Sequence, residues 1–411
     1  MPDPYRDRYA ARATGMTGSE IRALFSVLER PEIISLAGGN TDTSIVEHRF
    51  WECVEVVRHR HEPGKDPLGY AGAGGMVSLR EQLVALMATE GIEAEPHQVL
   101  VTDGAQQALE FLAKIFCDPG DLILTEAPTY VGALDAFGSY QTDIQTVAFD
   151  EEGVIPDALE EKLRTVASEG RRAKFLYLVP TFQNPSGITL TEARRPRVIE
   201  ICHRHDVLIV EDNPYAQVRF EGEPVSPLRS LTDEGIVYLG TLSKVVCPGI
   251  RIGWVLAPEP VRERLELAKG AADLCSSPLT QLAAAEYLGS GYVPTDLEIV
   301  RKTYRERRDA MVDALAQYFP DEATWTSPEG GLFVWATLPA PIDTKAMLAR
   351  CLEAGAAYVP GTAFYPVKRD GQRSMRLNFS YPSVADIDEG IRRIGSVVEK
   401  ELEFARSLEA E

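Results

Sequence analysis

The sequence predicts an α/β fold, in which a mostly parallel sheet is sandwiched by helices and a smaller α+β domain follows. From Val99 onward, short apolar runs alternate with helical segments, a pattern typical of a parallel sheet covered on both faces. Near residue 320 the pattern changes to shorter β segments with helices between them. We therefore assign residues 1–48 to an N-terminal arm and helix of the smaller domain, 49–300 to the large domain and 301–411 to the rest of the smaller domain.

The length, net charge and cysteine spacing of the chain argue against several classes of protein. With 411 residues the chain is long enough for two domains. A net charge of −20 opposes nucleic-acid binding, which needs a basic surface. The six cysteines show no CxxC spacing, which favours reduced thiols in a cytoplasmic protein. The chain begins without an apolar signal segment and contains no run of transmembrane length, so we expect no membrane partner.

Four features precede the alternating region. Residues 19–22 resemble a helix start, and residues 33–36 predict a short strand that ends at Gly38-Gly39. Residues 68–75 form a glycine-rich loop without the spacing of a dinucleotide fingerprint. Residues 78–89 predict an amphipathic helix, because their leucines recur on one helical face.

Polar residues follow the predicted strands of the large domain. We place these strands at residues 99–102, 122–125, 175–179, 207–210 and 236–239, with helices over 106–116 and within 262–318. Open α/β sheets bind ligands at the carboxyl ends of their strands. The segment Gly104-Ala105-Gln106 opens a helix there, so its backbone N–H groups favour an anion.

The stretch around Lys244 contains the most specific signal. Lys244 comes shortly after a predicted strand, and Arg251 stands between Ile250 and Ile252. An arginine in such surroundings is costly to bury unless it meets an anion. The pair indicates a lysine that forms a Schiff base and an arginine that holds a phosphate, and pyridoxal phosphate needs both. The alternative is a surface lysine after an edge strand.

Four further candidates follow other strands. Tyr130 is suited to stack on a ring, and Asn184 lies in a loop restrained by proline and glycine. Asp212 ends an apolar strand, where a protonated pyridine nitrogen would supply its cationic partner. Tyr215 is placed to donate to a phenolate oxygen of the same ring. Each residue alone is as well explained as a helix cap, a turn residue or a half-buried tyrosine, but their order together with Lys244 favours a cofactor site.

These motifs resemble the pyridoxal-phosphate-dependent aminotransferases of fold type I, the aspartate aminotransferase superfamily of class I and II. The similarity is greatest to the branch of 2-aminoadipate, kynurenine and related broad-specificity aminotransferases. It extends from about Ser19 nearly to the C-terminus. The motifs that carry it are residues 183–187, residues 211–215, Ser243-Lys244 with residues 248–251, and residues 376–379.

The resemblance implies a role for each matching residue. Lys244, Asp212 and Tyr215 are the expected catalytic residues, Asn184 and Tyr215 the ligands of the ring hydroxyl, and Tyr130 the stacking aromatic. The residues expected to bind the phosphate are Gly104, Ala105, Gln106, Thr241, Ser243 and Arg251. Tyr70 resembles the tyrosine that reaches the phosphate of a neighbouring subunit, which implies a homodimer with shared active sites.

The same resemblance implies the substrate contacts. Arg376 is expected to bind the substrate α-carboxylate, where bidentate geometry favours arginine. Gly39 and Asn184 are expected to line the substrate pocket. Arg22 resembles a mobile arginine that binds acidic side chains, and a solvated helix arginine is the alternative. We predict no metal site, since the paired histidines at 59 and 61 and at 203 and 205 do not face each other on a helix.

The implied reaction is ping-pong transfer of an amino group between an L-amino acid and a 2-oxo acid, with glutamate or 2-oxoglutarate as one partner. One departure keeps an alternative open. Residues 40–43, Asn-Thr-Asp-Thr, replace the usual Leu-Pro turn after the paired glycines. That change is compatible with elimination, replacement, cyclisation or oxidation of an amino acid on the same cofactor. A non-catalytic binding protein is disfavoured, because Lys244, Asp212 and Arg376 are all present.

Overall fold

The computed structural model describes residues 3–14, 30–60, 66–367 and 370–409. Its strands, in chain order, are β1 (Ile34–Ser35), β2 (Val99–Thr102), β3 (Leu122–Thr125), β4 (Asp143–Thr146), β5 (Phe149–Asp150), β6 (Gly153–Val154), β7 (Ala173–Leu178), β8 (Leu208–Asp212), β9 (Ile236–Thr241), β10 (Gly253–Leu256), β11 (Thr324–Trp325), β12 (Phe333–Thr337), β13 (Ala356–Ala357), β14 (Val359–Pro360) and β15 (Ser374–Asn378).

The α-helices of the described residues are α1 (Ala11–Thr14), α2 (Glu47–His59), α3 (Val77–Ala88), α4 (Ala105–Phe116), α5 (Val131–Gly138), α6 (Pro156–Ser168), α7 (Arg194–Arg204), α8 (Leu228–Leu231), α9 (Glu259–Ala272), α10 (Pro278–Gly289), α11 (Tyr292–Tyr318), α12 (Thr344–Glu353) and α13 (Val384–Glu409). Short 3₁₀ turns lie between several of them, including Thr43–Ile45, Pro248–Ile250 and Gly361–Phe364.

The large sheet confirms the predicted architecture. Its strand order is β2-β10-β9-β8-β7-β3-β4, and β10 alone runs opposite to the other six. The apolar runs predicted as strands coincide with β2, β3, β7, β8 and β9 to within two residues. We did not predict β10, although Trp254, Val255 and Leu256 are apolar, because these residues follow closely on the Pro-Gly turn and Arg251 of the stretch around Lys244.

Both faces of the large sheet are buried. Along β7, Phe175 and Tyr177 join one hydrophobic cluster, while Leu176 and Leu178 join another. Helices α3, α4, α9 and α10 contribute to the first cluster, and α6 and α7 to the second. Because successive side chains of a strand point to opposite faces, burial on both faces requires a continuously apolar run.

A second sheet brings the C-terminal part of the chain together with the N-terminal arm. It is antiparallel, in the order β11-β12-β15-β14. Strand β1 pairs in parallel with β13, so residues 34–35 lie with this part of the structure. The domain boundary that we placed at residue 300 falls inside α11, and the division into domains remains a prediction.

Two further sequence expectations concern the N-terminal helix and membrane-spanning segments. The helix start at residues 19–22 lies outside the described residues. None of the helices within the described ranges combines the length and the apolar composition needed to cross a membrane.

Candidate active site

The carboxyl ends of five strands of the large sheet bring the candidate residues together. Gly104 follows β2, Tyr130 follows β3, Asn184 follows β7, Asp212 ends β8 and Lys244 follows β9. These five strands run in the same direction, so their carboxyl ends share one edge of the sheet. The second sheet faces this edge, because Arg376 of β15 hydrogen-bonds to Asn184.

Asp212 is a buried carboxylate with one unsatisfied oxygen. Its side chain is 4% exposed, and its Oδ2 accepts a hydrogen bond of 2.8 Å from the Tyr177 hydroxyl. Its Oδ1 is buried without a partner among the described residues. Burial raises the pKa of Asp212 to about 7. A cationic N–H group beside Oδ1 would complete this site, and a pyridinium nitrogen is such a group.

Lys244 lies on the inside of the structure. Its Nζ donates a hydrogen bond of 2.7 Å to the carbonyl oxygen of Gly39. Burial, followed by the charges of Arg376 and Arg251, lowers the pKa of Lys244 to about 8. A lowered pKa increases the fraction of neutral amine, the form that reacts with an aldehyde. The surface-lysine alternative is wrong, since β9 lies between β8 and β10 and is not an edge strand.

The N-terminus of α4 forms a cradle for an anion. Gly104 has φ of 75° and is the N-cap residue of α4, with no side chain capping the helix. The first N–H groups of a helix have no partner within it, so those of Ala105 and Gln106 suit a phosphate. The positive φ favours glycine at this position, and a Cβ there would also lie 2.3 Å from Nη2 of Arg251 and displace that side chain. The Oγ1 of Thr241 and the Oγ of Ser243, 3.0 Å apart, are also among the predicted phosphate ligands.

Arg251 corrects one expectation. Ile250 and Ile252 are buried as anticipated, but Arg251 between them is exposed. Its backbone is left-handed, with φ of 53°, which turns the side chain away from the neighbouring apolar residues. The guanidinium donates to the carbonyl oxygens of Pro248 and Asp103, each at 3.1 Å. It therefore lies at the open end of the α4 cradle, where an anion remains accessible to it.

Asn184 connects the two sides of the candidate site. Its Nδ2 donates to the Tyr215 hydroxyl at 3.4 Å, and its Oδ1 accepts from Nη1 of Arg376 at 3.0 Å. The Tyr130 hydroxyl donates to Oε1 of Gln106 at 3.2 Å. Burial raises the pKa of Tyr130 to about 12 and also raises that of Tyr215. Both phenols are therefore neutral hydrogen-bond donors at physiological pH.

Arg376 is a buried cation between two aromatic rings. Its side chain is 2% exposed, and its guanidinium carbon lies 4.1 Å from the ring centre of Phe333 and 5.1 Å from that of Phe364. Nη2 donates to the carbonyl oxygen of Ala37 at 2.8 Å, and Nε has no partner among the described residues. Burial lowers the pKa of Arg376 to about 10, so the group stays charged at neutral pH. An unpaired buried guanidinium is suited to bind a carboxylate.

The unusual segment after Gly39 borders this site. The carbonyl oxygen of Asn40 accepts a hydrogen bond of 2.8 Å from Ser380, and Asp42 forms an ion pair of 2.8 Å with Arg307. The Thr41 hydroxyl is 3.5 Å from the carbonyl oxygen of Ser243, next to the lysine. These contacts attach residues 40–42 to both sides of the site.

Tyr70 is 88% exposed in the glycine-rich segment, so its predicted role depends on a second subunit. Arg22 lies outside the described residues. The contributions of both remain predictions.

Three residues that hold the site residues or their segments in place were not predicted from the sequence. The sequence pattern identifies Tyr177 only as a strand residue, although its hydroxyl donates a hydrogen bond to Asp212. Glu126 is buried, and its Oε2 accepts from the backbone N–H of Val179 at 2.9 Å. Gln183 donates to the carbonyl oxygen of Pro128 at 2.6 Å, so the segments that carry Tyr130 and Asn184 are joined. Only the position of Tyr177 two strands from Lys244 in the sheet reveals its role, and no local motif signals it.

Comparison with known proteins identifies the family. The family model for aminotransferase class I and II matches residues 32–394. The aromatic-amino-acid aminotransferase 1 of Thermococcus litoralis is 42% identical over 97% of this chain and 95% of its own length. The kynurenine aminotransferase of Pyrococcus horikoshii, solved in complex with PMP, has a TM-score of 0.92 at 39% identity, covering 97% of this chain and 98% of that one.

A third relative gives the same result. The α-aminoadipate aminotransferase of Thermus thermophilus, solved with N-(5'-phosphopyridoxyl)-L-leucine, has a TM-score of 0.89 at 33% identity and covers 98% of this chain and all of that one. The unsatisfied oxygen of Asp212, the cradle at Gly104 and the amine of Lys244 fit the cofactor of this family. The chain therefore belongs to the class I and II aminotransferases, the pyridoxal-phosphate-dependent enzymes of fold type I that its sequence resembles.

Proposed function

We propose that this aminotransferase moves the amino group of an L-amino acid with a large, weakly polar side chain to 2-oxoglutarate in a ping-pong reaction. The observation that carries the proposal is the buried guanidinium of Arg376 between the rings of Phe333 and Phe364. The charge would receive the α-carboxylate shared by all amino acids, and the two buried rings hold the guanidinium in apolar surroundings. The names of relatives that include aromatic amino acids and kynurenine support a large, weakly polar side chain, and the α-aminoadipate enzyme was solved with a leucine adduct of the cofactor.

The residues of the site then have distinct tasks. Pyridoxal phosphate, when bound, supplies an electron-withdrawing ring that stabilises negative charge at the substrate Cα. Asp212 keeps the ring nitrogen protonated, and Asn184 and Tyr215 hold the ring hydroxyl. Lys244 Nζ moves the proton at the substrate Cα, for which its pKa of about 8 is suitable. Arg376 orients the substrate through its carboxylate.

The choice of 2-oxoglutarate rests on Arg22, the residue that resembles a mobile side-chain arginine. Replacing Arg22 by alanine should slow the half-reaction with 2-oxoglutarate and leave the half-reaction with the apolar amino acid unchanged. Pre-steady-state rates of the two half-reactions measure this directly. Equal slowing of both would contradict the assignment.

We further propose a cytoplasmic homodimer that serves amino-acid biosynthesis, with Tyr70 completing the site of the partner subunit. The exposure of Tyr70 in one chain is compatible with this role. Mixing an inactive Lys244→Ala dimer with a Tyr70→Ala dimer should restore activity, because each mixed dimer contains one intact site. Tyr5→Ala, which removes another exposed tyrosine, is the control: its dimer should be fully active alone, and mixing it with the Lys244→Ala dimer should give no gain in activity.

The decisive test of the reaction uses the purified, cofactor-loaded enzyme. One equivalent of a suitable amino acid should convert the cofactor stoichiometrically to its amine form and release the corresponding 2-oxo acid. Borohydride reduction should attach the cofactor to Lys244, as peptide mapping will show. Release of ammonia, peroxide or a cyclised product, with the cofactor unchanged after each turnover, would instead establish one of the alternative reactions.

A further inference from the structure

A second cleft lies away from the candidate active site. It has a volume of about 870 Å³ and is bordered by α11, the segment after β8 and the end of α3. None of the predicted cofactor or substrate residues lines it. We name it the α11 cleft. Four of its lining residues are cations: Arg219, Arg301, Lys302 and Arg305.

Arg301 is the most informative of these residues. It is half-buried, and its Nε donates to the carbonyl oxygen of Gln217 at 2.9 Å. Among the described residues no carboxylate forms an ion pair with it, and burial lowers its pKa. Removing a cation from water without a counter-charge is unfavourable, so the position favours an anion.

The neighbouring cations extend this positive surface. Arg305 lies one helical turn after Arg301, on the same face of α11, is half exposed and forms a long ion pair of 3.9 Å with Glu221. Lys302 is exposed beside them. The Arg219 side chain is 9% exposed, and although its Nη1 pairs with Glu329, its Nη2 has no partner among the described residues. The unused N–H groups therefore come from two separate parts of the chain.

Two acidic residues also line the α11 cleft, but neither neutralises Arg301. Glu221 forms an ion pair of 2.5 Å with Arg308 through one carboxylate oxygen and one of 3.9 Å with Arg305 through the other. Glu90 accepts hydrogen bonds from Asn213 and Gln217, and burial raises its pKa to about 7. The cleft thus keeps an excess of positive charge within a chain whose net charge is −20.

Another cleft of similar size in the same protein provides a comparison for how cleft cations are paired. Its volume is about 720 Å³, and it also contains three cations. There, Arg171 pairs with Asp143 at 2.7 Å, Arg172 with Asp206 at 2.5 Å and Lys174 with Asp121 at 3.1 Å. All three cations of that cleft therefore have a carboxylate partner, whereas in the α11 cleft Arg219 and Arg305 have one and Arg301 has none among the described residues.

We propose that the α11 cleft binds a small anion that carries two or more phosphate groups. A single carboxylate would match only one of the cations, whereas a polyphosphate can engage Arg301, Arg305 and Lys302 together. Arginine binds phosphate oxygens in pairs and lysine binds them as a point charge, so both residue types suit this ligand. The volume lies within the range of small-molecule sites.

Calorimetric titration of inorganic pyrophosphate into the cofactor-loaded enzyme tests the proposal. We expect binding that weakens by about tenfold or more in Arg301→Gln and in Arg305→Gln, because each removes charged hydrogen bonds. Arg172→Gln, in the other cleft, and Lys400→Gln, on a distant helix, should bind as the unchanged enzyme does. Transaminase activity of all four variants verifies that they are folded.

Three results would overturn the proposal. The first is no detectable pyrophosphate binding by the unchanged enzyme. The second is equal weakening in Arg172→Gln, which would show general attraction to a cationic surface. The third is loss of binding in Arg376→Ala, which would place the anion in the catalytic pocket. Citrate is titrated alongside, and binding as tight as that of pyrophosphate would overturn the assignment of phosphate groups.

Discussion

The two halves of the candidate active site respond differently to burial. In the half formed by the large sheet, burial raises the pKa of Asp212 to about 7 and lowers that of Lys244 to about 8. In the half formed by β15, burial lowers the pKa of Arg376 to about 10, which is still well above neutral pH. The first half can therefore exchange protons near neutral pH, whereas the second stays charged.

The difference follows mainly from the basicity of each group, because burial lowers the pKa of a guanidinium from 12.5 and that of the lysine amine from 10.5. Arg376 donates to Ala37 and Asn184 and lies on an aromatic ring, and a guanidinium delocalises its charge. Asp212 has one hydrogen bond and one oxygen without a partner. The half that contains Asp212 would thus be completed by a cation, such as the pyridinium of the cofactor, and the half that contains Arg376 by an anion, such as the carboxylate of the substrate.

The largest expected effect comes from removing the amine of the first half. Lys244→Ala should reduce turnover by about 10⁴-fold or more, since it removes both the covalent attachment and the group that moves the proton. Steady-state assays with a good amino acid substrate measure this loss. Lys400→Ala, a change at an exposed lysine, should retain full activity. Turnover within tenfold of normal in Lys244→Ala would show that another residue is the base.

Removing the carboxylate of the same half should have the next largest effect. Asp212→Ala should lower kcat by about 10³-fold, because breaking a buried charge pair costs about 3–5 kcal/mol. The covalent link at Lys244 should persist, as the visible absorbance of the cofactor will report. Asp206→Ala, at an exposed carboxylate, is the matched control. Near-normal kcat would mean that Asp212 does not contact the ring nitrogen.

The second half is tested with Arg376→Ala. This change should reduce kcat/KM for amino acids by about 10²- to 10³-fold, from the same cost of an unpaired buried charge. The loss should be constant between pH 6 and 9, because Arg376 stays charged over that range. An amine without a carboxylate should react equally with both enzymes. If the unchanged enzyme processes such amines as well as amino acids, the assignment fails.

The smallest expected effect is a change in the pKa of Asp212, in the half formed by the large sheet. The Tyr177 hydroxyl stabilises the ionised form of Asp212, so Tyr177→Phe should raise the pKa of that carboxyl further. Below its pKa the carboxyl is protonated and loses the charge that the pyridinium needs. The apoenzyme should therefore bind the cofactor more weakly below about pH 7. In the Tyr177→Phe variant this weakening should begin about one pH unit higher.

Equilibrium titration of pyridoxal phosphate at a series of pH values measures that shift. Tyr358→Phe, which removes another buried hydroxyl far from Asp212 in the second sheet region, serves as its control and should leave the pH profile unchanged. An identical profile for Tyr177→Phe would show that the hydrogen bond does not control the carboxyl.

Local sequence determined the large sheet and the order of its candidate residues. Continuous apolar runs predict strands that are buried on both faces, and helical segments between them require parallel neighbours. The ends of parallel strands meet at one edge, so the positions of Asn184, Asp212 and Lys244 after successive runs place them together. The motif resemblance then indicated the family, which the comparisons confirmed.

Tertiary structure alone decided which of these groups are paired, exposed or charged. The contact of Lys244 with Gly39 joins residues 205 positions apart, and that of Arg376 with Ala37 joins residues 339 positions apart. The exposure of Arg251 depends on a left-handed backbone that its apolar neighbours do not predict. Periodicity reports which face of an element is buried, but hydrogen-bond partners and pKa values depend on the residues that packing brings against that face from elsewhere in the chain.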